Sequence, residues 1–333
     1  MHTGRRYQPK EFFLWTLRTT IGLLAFAAVP TILYYFGLTF ITVPWQLIAI
    51  TGTALSFIVG FKNNASYSRI WEARQIYGGI INSSRSFGYT LRDTLDDQDL
   101  VKKIFYRHFA WLTALRFQLR EPRSWENMTQ RSNKQYQNNN YVVPEWESKI
   151  DDELSKYLDP KELSYVLSKK NKATQLTAMQ SKSLAELKKK GAMDVMQWTQ
   201  LQTILTKLTD DQGRAERIKN FPYPRNFASI TTYLMFIFII FLPFGLLKEF
   251  AQLGNGTMLE GYTIWLNIPI TAVVAWAFHV LDTIGESSVN PFEGSANDIP
   301  ITQISRTIEI DMRDMLDEPS LPPAIAPVKD IVM

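Results

Sequence analysis

Cysteine is absent from the 333 residues, and the only histidines, His2, His108 and His279, lie far apart. That excludes disulfides and Cys-based metal sites, and leaves no histidine pair at ligand spacing. There is no nucleophile motif and no glycine-rich phosphate loop. We therefore expect no enzyme activity, no cofactor and no metal. Dense basic tracts are missing too. Lys188-Lys189-Lys190 is too short for one, and the net charge is only +4, so nucleic acid is not an expected partner. No strand-rich region and no internal repeat is visible. Arg5, Arg6 and Lys10 are followed by polar and charged residues as far as Arg18, without a small-residue cleavage site. This is not a cleavable signal. Residues 8–19 read as a helix at a membrane surface.

What the chain does have is unevenly placed. Residues 20–40 carry no charge, and about 20 such residues span a hydrocarbon core. Pro30 inside this run predicts a kink. A second apolar stretch, from Leu47 to Phe61, is marginal in length and ends at Lys62-Asn63-Asn64. Residues 226–247 and 261–281 read as third and fourth spans, with a turn at Gly254-Asn255-Gly256. Between them, residues 62–225 show apolar residues at helical intervals among charges. Asp159, Pro160 and Glu162 mark a helix start as a capping box. Asn138 to Asn140 read as a loop. After residue 282 come an amphipathic helix through Ile304, Ile308, Met312 and Met315, and an extended proline-rich end, Pro319 to Pro327.

The expected fold is therefore all-α, a multi-pass membrane protein with four transmembrane helices and a helical cytosolic region. Its divisions are 1–61, 62–225, 226–281 and 282–333. Basic residues at the N-terminus and in the middle, against nearly uncharged short loops, place both termini in the cytoplasm by the positive-inside rule. The expected location is the inner (plasma) membrane.

The second span carries two patterns. Gly52, Ser56 and Gly60 form a small-residue face suited to close helix packing. Thr53, Phe57 and Phe61 form an adjoining face, also spaced by four. From spacing alone this second face fits lipid or protein contact, and equally an apolar constriction around a shared axis. Asn63 and Asn64 fit either a vestibule lining or a helix cap. His279 and Asp282, at the inner end of the fourth span, fit a functional site or a water-facing helix end.

The run Gly60-Phe61-Lys62-Asn63-Asn64-Ala65-Ser66-Tyr67-Ser68-Arg69-Ile70-Trp71-Glu72-Ala73-Arg74, continued by residues 80–85, resembles the signature of the bestrophin family, especially its bacterial members. Asn290-Pro291-Phe292-Glu293-Gly294, residues 297–300 and residues 306–311 agree with it. The resemblance covers nearly the whole chain. It implies a homopentameric ion channel in a lipid bilayer, passing small monovalent ions through one axial pore. It further implies a hydrophobic neck at Thr53, Phe57 and Phe61, where threonine replaces the usual isoleucine. A cytosolic aperture is implied at Tyr223, where an aliphatic residue is common. Animal bestrophins hold calcium by consecutive acids after Asn-Pro-Phe. Residues 293–298 lack that run and are expected to form no such clasp. The family is best known for chloride and other anions, and its bacterial relatives include cation-selective channels, so selectivity stays open. A membrane transporter or a non-conducting scaffold is the alternative. Absence of repeats argues against the transporter.

Overall fold

The computed structural model describes residues 1–5, 7, 9–129 and 131–333, and the side chains among them except at 9–14, 129, 131 and 132. Arg6, the side chain of Lys10, and Gln8, the first residue of the expected surface helix, lie outside the described residues. The fold is all-helical. Among the described residues the β structure is limited to isolated bridges, His2 to Ile331 and Val328 to Ile331. The helices are α1 (Pro9–Tyr35), α2 (Trp45–Thr94), α3 (Gln98–Arg120), α4 (Arg131–Asn140), α5 (Pro144–Glu147), α6 (Ile150–Leu154), α7 (Pro160–Leu167), α8 (Lys172–Lys189), α9 (Val195–Asn220), α10 (Arg225–Leu253), α11 (Asn267–Ser287) and α12 (Ile301–Asp314). Two compact units result: residues 4–68 with 223–289, and residues 1–3 with 69–222 and 290–333. We call them the apolar unit and the charged unit.

In the apolar unit, α1, the first part of α2, α10 and α11 provide the four stretches long and apolar enough to cross a membrane. The surface helix expected at 8–19 is no separate element, because α1 continues unbroken from Pro9 through Pro30. Phe227, Ile230, Tyr233, Phe236, Ile237 and Phe241 of α10 point outward. That is tolerable in lipid, where backbone groups rather than apolar side chains need partners. Inside, polar side chains tie the helices together. Asn267, fully buried, donates to Thr31 Oγ1 (2.9 Å) and to the Pro243 carbonyl (3.1 Å), and accepts from Thr271 (2.9 Å). One amide thus joins α1, α10 and α11 with its bonds satisfied.

The charged unit is organised around α3. Every residue from Arg107 to Arg116 is buried, as expected of a helix surrounded by others. Its charged and ring-nitrogen side chains have partners. Arg107 reaches Glu162 (2.6 Å) and Ser183 (2.9 Å), and His108 meets Ser84 (2.9 Å). Burial pushes His108 down to about 3, so it stays neutral between the Phe87 and Trp111 rings. The expected capping box at Asp159 is half made. Asp159 accepts from the Glu162 amide (2.9 Å), but the Glu162 carboxylate is drawn to Arg107 and Lys103 instead. A complete box stands at Asp194 and Gln197, which the sequence reading missed. Asn138 to Asn140 belong to α4, not to a loop. Asn140 bonds back to the Tyr136 carbonyl (2.8 Å), and the helix forms despite the poor propensity of asparagine. The apolar face of α12 is as expected, with Ile308 and Met312 fully buried.

Gly245 of α10 shows how tightly the apolar unit is packed: a Cβ there would lie 2.3 Å from Ile48 Cγ1 of α2. Gly245→Val should therefore destabilise by about 1–3 kcal/mol. This is read as a lowered thermal midpoint in detergent, and an unchanged midpoint would refute the close α2–α10 approach.

Candidate ion-conducting surface

Helix α2 is 50 residues long. In the apolar unit its buried positions are Ile48, Gly52, Leu55, Val59, Lys62 and Ser66, in alternating steps of four and three. That is one helix face. Leu55 and Val59 join Met235, Phe238, Leu242 and Ala275 of α10 and α11 in a core. Another face lies uncovered. Thr53 is exposed, Phe57 is 65 % exposed and Phe61 71 % exposed, and Asn64 and Ser68 continue the row. The Thr53 hydroxyl donates to the Ala49 carbonyl (2.8 Å) and so presents acceptor lone pairs outward.

The three residues of the small face part company. Gly52 faces inward, where a Cβ would lie 2.8 Å from the Phe238 ring. Ser56 and Gly60 are exposed, with nothing near the position of a Gly60 Cβ. The two asparagines separate as well. Asn64 is exposed, whereas Asn63 is half-buried with Oδ1 pressed where a side chain on Gly285 would begin, 2.1 Å from that Cβ. Tyr223 stands apart at the entry to α10, half-buried, its ring 6.4 Å from that of Phe227.

Lys62 is the side chain that sequence reasoning missed. It looked like the polar end of a span. It is instead turned into the apolar unit, where Nζ donates to Asp282 Oδ1 at 2.6 Å and lies 3.4 Å from Glu286. Side-chain exposures of 3 % and 6 % make Lys62–Asp282 a buried pair. Asp282 therefore faces Lys62, not water. Ser66 Oγ donates to the Gly285 carbonyl (2.8 Å), so a second α2–α11 bond stands one turn beyond the ion pair. His279 lies 3.5 Å from Thr19 Oγ1. The clue was available: Lys62 falls on the same face as Leu55, Val59 and Ser66. With Lys62 inward, every exposed residue of α2 from Thr53 to Ser68 is uncharged.

In the charged unit, Arg69 Nη2 donates to the carbonyls of Ile218 and Phe221, both at 2.9 Å, at the end of α9. Glu72 bridges to Arg214 and Arg217. The Asn290–Ile299 loop is irregular yet buried except at Asn297. Asp298 accepts from Ser295 Oγ (2.5 Å), the Gly294 amide (2.7 Å) and Arg120 (2.9 Å). Both of its oxygens are thus engaged by protein donors.

The family model for bacterial and fungal bestrophins matches residues 14–314. The chain belongs to this family. Among its relatives, the voltage-dependent anion channel-forming protein YneE of Salmonella typhi is 26 % identical over 309 residues. That alignment covers 92 % of this chain and 88 % of the relative. A protein of the same description from Ralstonia nicotianae is 29 % identical, covering 84 % and 79 %. The crystal structure of a bacterial bestrophin homologue from Klebsiella pneumoniae superposes with a TM-score of 0.76. It is 20 % identical and covers 91 % of this chain and 99 % of that one, so it shares the fold. In this bestrophin the signature run 60–74 divides its labour. Phe61 and Asn64 lie outward, and Lys62 and Ser66 bind α11.

Lys62→Met would leave Asp282 buried without its cation, a loss of about 3–5 kcal/mol. Replacing both, as Lys62→Met with Asp282→Leu, should restore much of it. Thermal midpoints of the two variants in detergent decide this, and equal losses would argue against a buried pair.

Proposed function

We propose that the protein is a passive ion channel, a homopentamer in the plasma membrane with both termini cytoplasmic. The uncovered face of α2 would line its axial neck. The observation that carries this reading is the row Thr53, Phe57, Phe61, Asn64, Ser68: exposed, uncharged, and partly aromatic. Lipid would accommodate two phenylalanines, but Asn64 and Ser68 on the same row ask for water or polar partners. A water-filled axis with an apolar, dewettable constriction accommodates both. Exposed Ser56 and Gly60 beside that row suit close approach of a neighbouring subunit. Tyr223 would form a second constriction with a polar rim.

The relatives' names describe anion channels, and we take anions as the permeant class. Permeating monovalent ions are then the only ligands the function requires. A reversal potential recorded from purified protein in planar bilayers under a KCl gradient tests this. A value near the chloride potential is expected, and one near the potassium potential would make the pore cationic. Folded protein that carries no current under any applied voltage would favour a scaffold.

Phe57→Ala and Phe61→Ala should each widen the neck and raise unitary conductance by about twofold or more. Single-channel recording reads this directly, and unchanged conductance in both would remove these residues from the pore.

A further inference from the structure

Behind the Asn290–Ile299 loop, within the charged unit, four carboxylates and three cations are buried in one connected cluster. The acids are Glu126, Glu145, Glu293 and Asp298, and the cations Arg116, Arg120 and Lys219. Arg116 pairs with Glu145, Lys219 with Glu126, and Arg120 with Asp298. Glu293 is left over. It is 1 % exposed, and its carboxyl accepts from two neutral donors, the Asn127 amide (2.9 Å) and Asn290 Nδ2 (3.1 Å). Among the described side chains no cation bridges to it.

The charged and titratable groups around it come from every neighbouring element. Asp298 lies on its own loop, Glu126 and Arg120 lie at and beyond the end of α3, and Lys219 is on α9. Tyr141 donates to the Gly294 carbonyl (2.9 Å). The amino group of Met1, which donates to the Val332 carbonyl, completes the set. Neither of the last two supplies a fourth cation. Burial pushes the Met1 amine down to about 5 and the Tyr141 phenol well up, so both are neutral near pH 7.

We propose that Glu293 is a proton-binding site, and that the Asn290–Ile299 loop stays closed only while this carboxyl is held as the neutral acid. An unpaired buried carboxylate is too costly to keep, so the site either takes a proton or opens to water. The proton comes from solvent and returns to it. The closed loop has no slack for a second solution. Gly294 holds φ +92 with the Trp146 indole packed where a Cβ would be (2.9 Å), and its amide is committed to Asp298.

The direction with pH follows from the carboxyl itself. Burial first, and the charge of Asp298 second, push Glu293 from 4.5 up to about 8. A raised acid binds its proton in the closed loop and releases it in the open one. Closure is therefore strongest below about 4.5, weakens as pH rises through the window between 4.5 and 8, and levels off above. Each pH unit inside the window is worth about tenfold in the opening equilibrium.

The test is hydrogen exchange with mass spectrometry on the full-length protein in detergent, with loop amides corrected for intrinsic rates. Protection of residues 290–299 should fall by up to about tenfold per pH unit between about pH 5 and 7.5. Glu293→Gln, which keeps the shape and cannot ionise, should flatten the profile. A flat wild-type profile overturns the proposal, and so does a slope that survives in Glu293→Gln. Infrared spectra of the wild type give a readout that needs no variant. A protonated-carboxyl band should be present at neutral pH and lost by about pH 9, and its absence at neutral pH also overturns the proposal. Neither measurement depends on ion conduction, so a failure here is distinct from a failure of the channel reading.

Discussion

A helix packed against neighbours on one side leaves its other side uncovered, and in the apolar unit α2 shows this constraint most clearly. Its inward row runs Ile48, Gly52, Leu55, Val59, Lys62, Ser66 in the apolar unit and Ala73, Ile76, Ile80, Phe87, Leu91 in the charged unit. Within each unit, steps of three, four or seven keep the row on one side of the helix. From Thr53 to Phe61 the opposite side of the helix stays exposed in the chain, and its chemistry is then free to serve something else. Burial thus comes first, and the row Thr53 to Ser68 is what burial leaves over.

The same constraint explains where the charges go. A helix that must carry Lys62 beside an apolar core can expose it, neutralise it or lose it. The protein neutralises it with Asp282 and adds the Ser66 bond to Gly285 one turn on. Buried pairs of this kind contribute little net stability, because desolvation offsets most of the attraction. They do forbid alternatives. Sliding or rotating α2 against α11 would strand an ammonium in an apolar layer. The charged unit follows the same logic around α3, where Arg107, Arg116 and Arg120 each have a carboxylate within reach.

Much of this was legible in the sequence. The four apolar helices, the Asp159 cap, the Gly254 turn and the buried face of α12 follow from hydropathy, capping residues and period. The family followed from the long signature runs. What could not be read were facts of tertiary pairing. Asn138 to Asn140 are poor helix formers, yet they complete the last turn of α4. Glu162 looked like half of a capping box, but Arg107 lies 55 positions away in sequence and takes its carboxylate. Lys62 reads in sequence as the end of a span because its partner is 220 residues further on. Of the small-residue row, only Gly52 meets a neighbour within the chain. Whether Ser56 and Gly60 are covered is a property of the assembly.

An uncharged row also limits what a neck built from it can do. With Lys62 withdrawn, no fixed charge stands between Thr53 and Ser68 to prefer one sign of ion. Thr53 offers lone pairs because its proton is committed to Ala49, and Phe57 and Phe61 offer no hydrogen bond at all. An ion in that stretch gives up water and gets little back. The penalty falls as the ion grows, since charging energy scales inversely with radius. Such a neck sorts ions by their hold on water. The preference for one sign must then arise from charged groups beyond the neck, or from chloride's larger radius and weaker hydration relative to sodium.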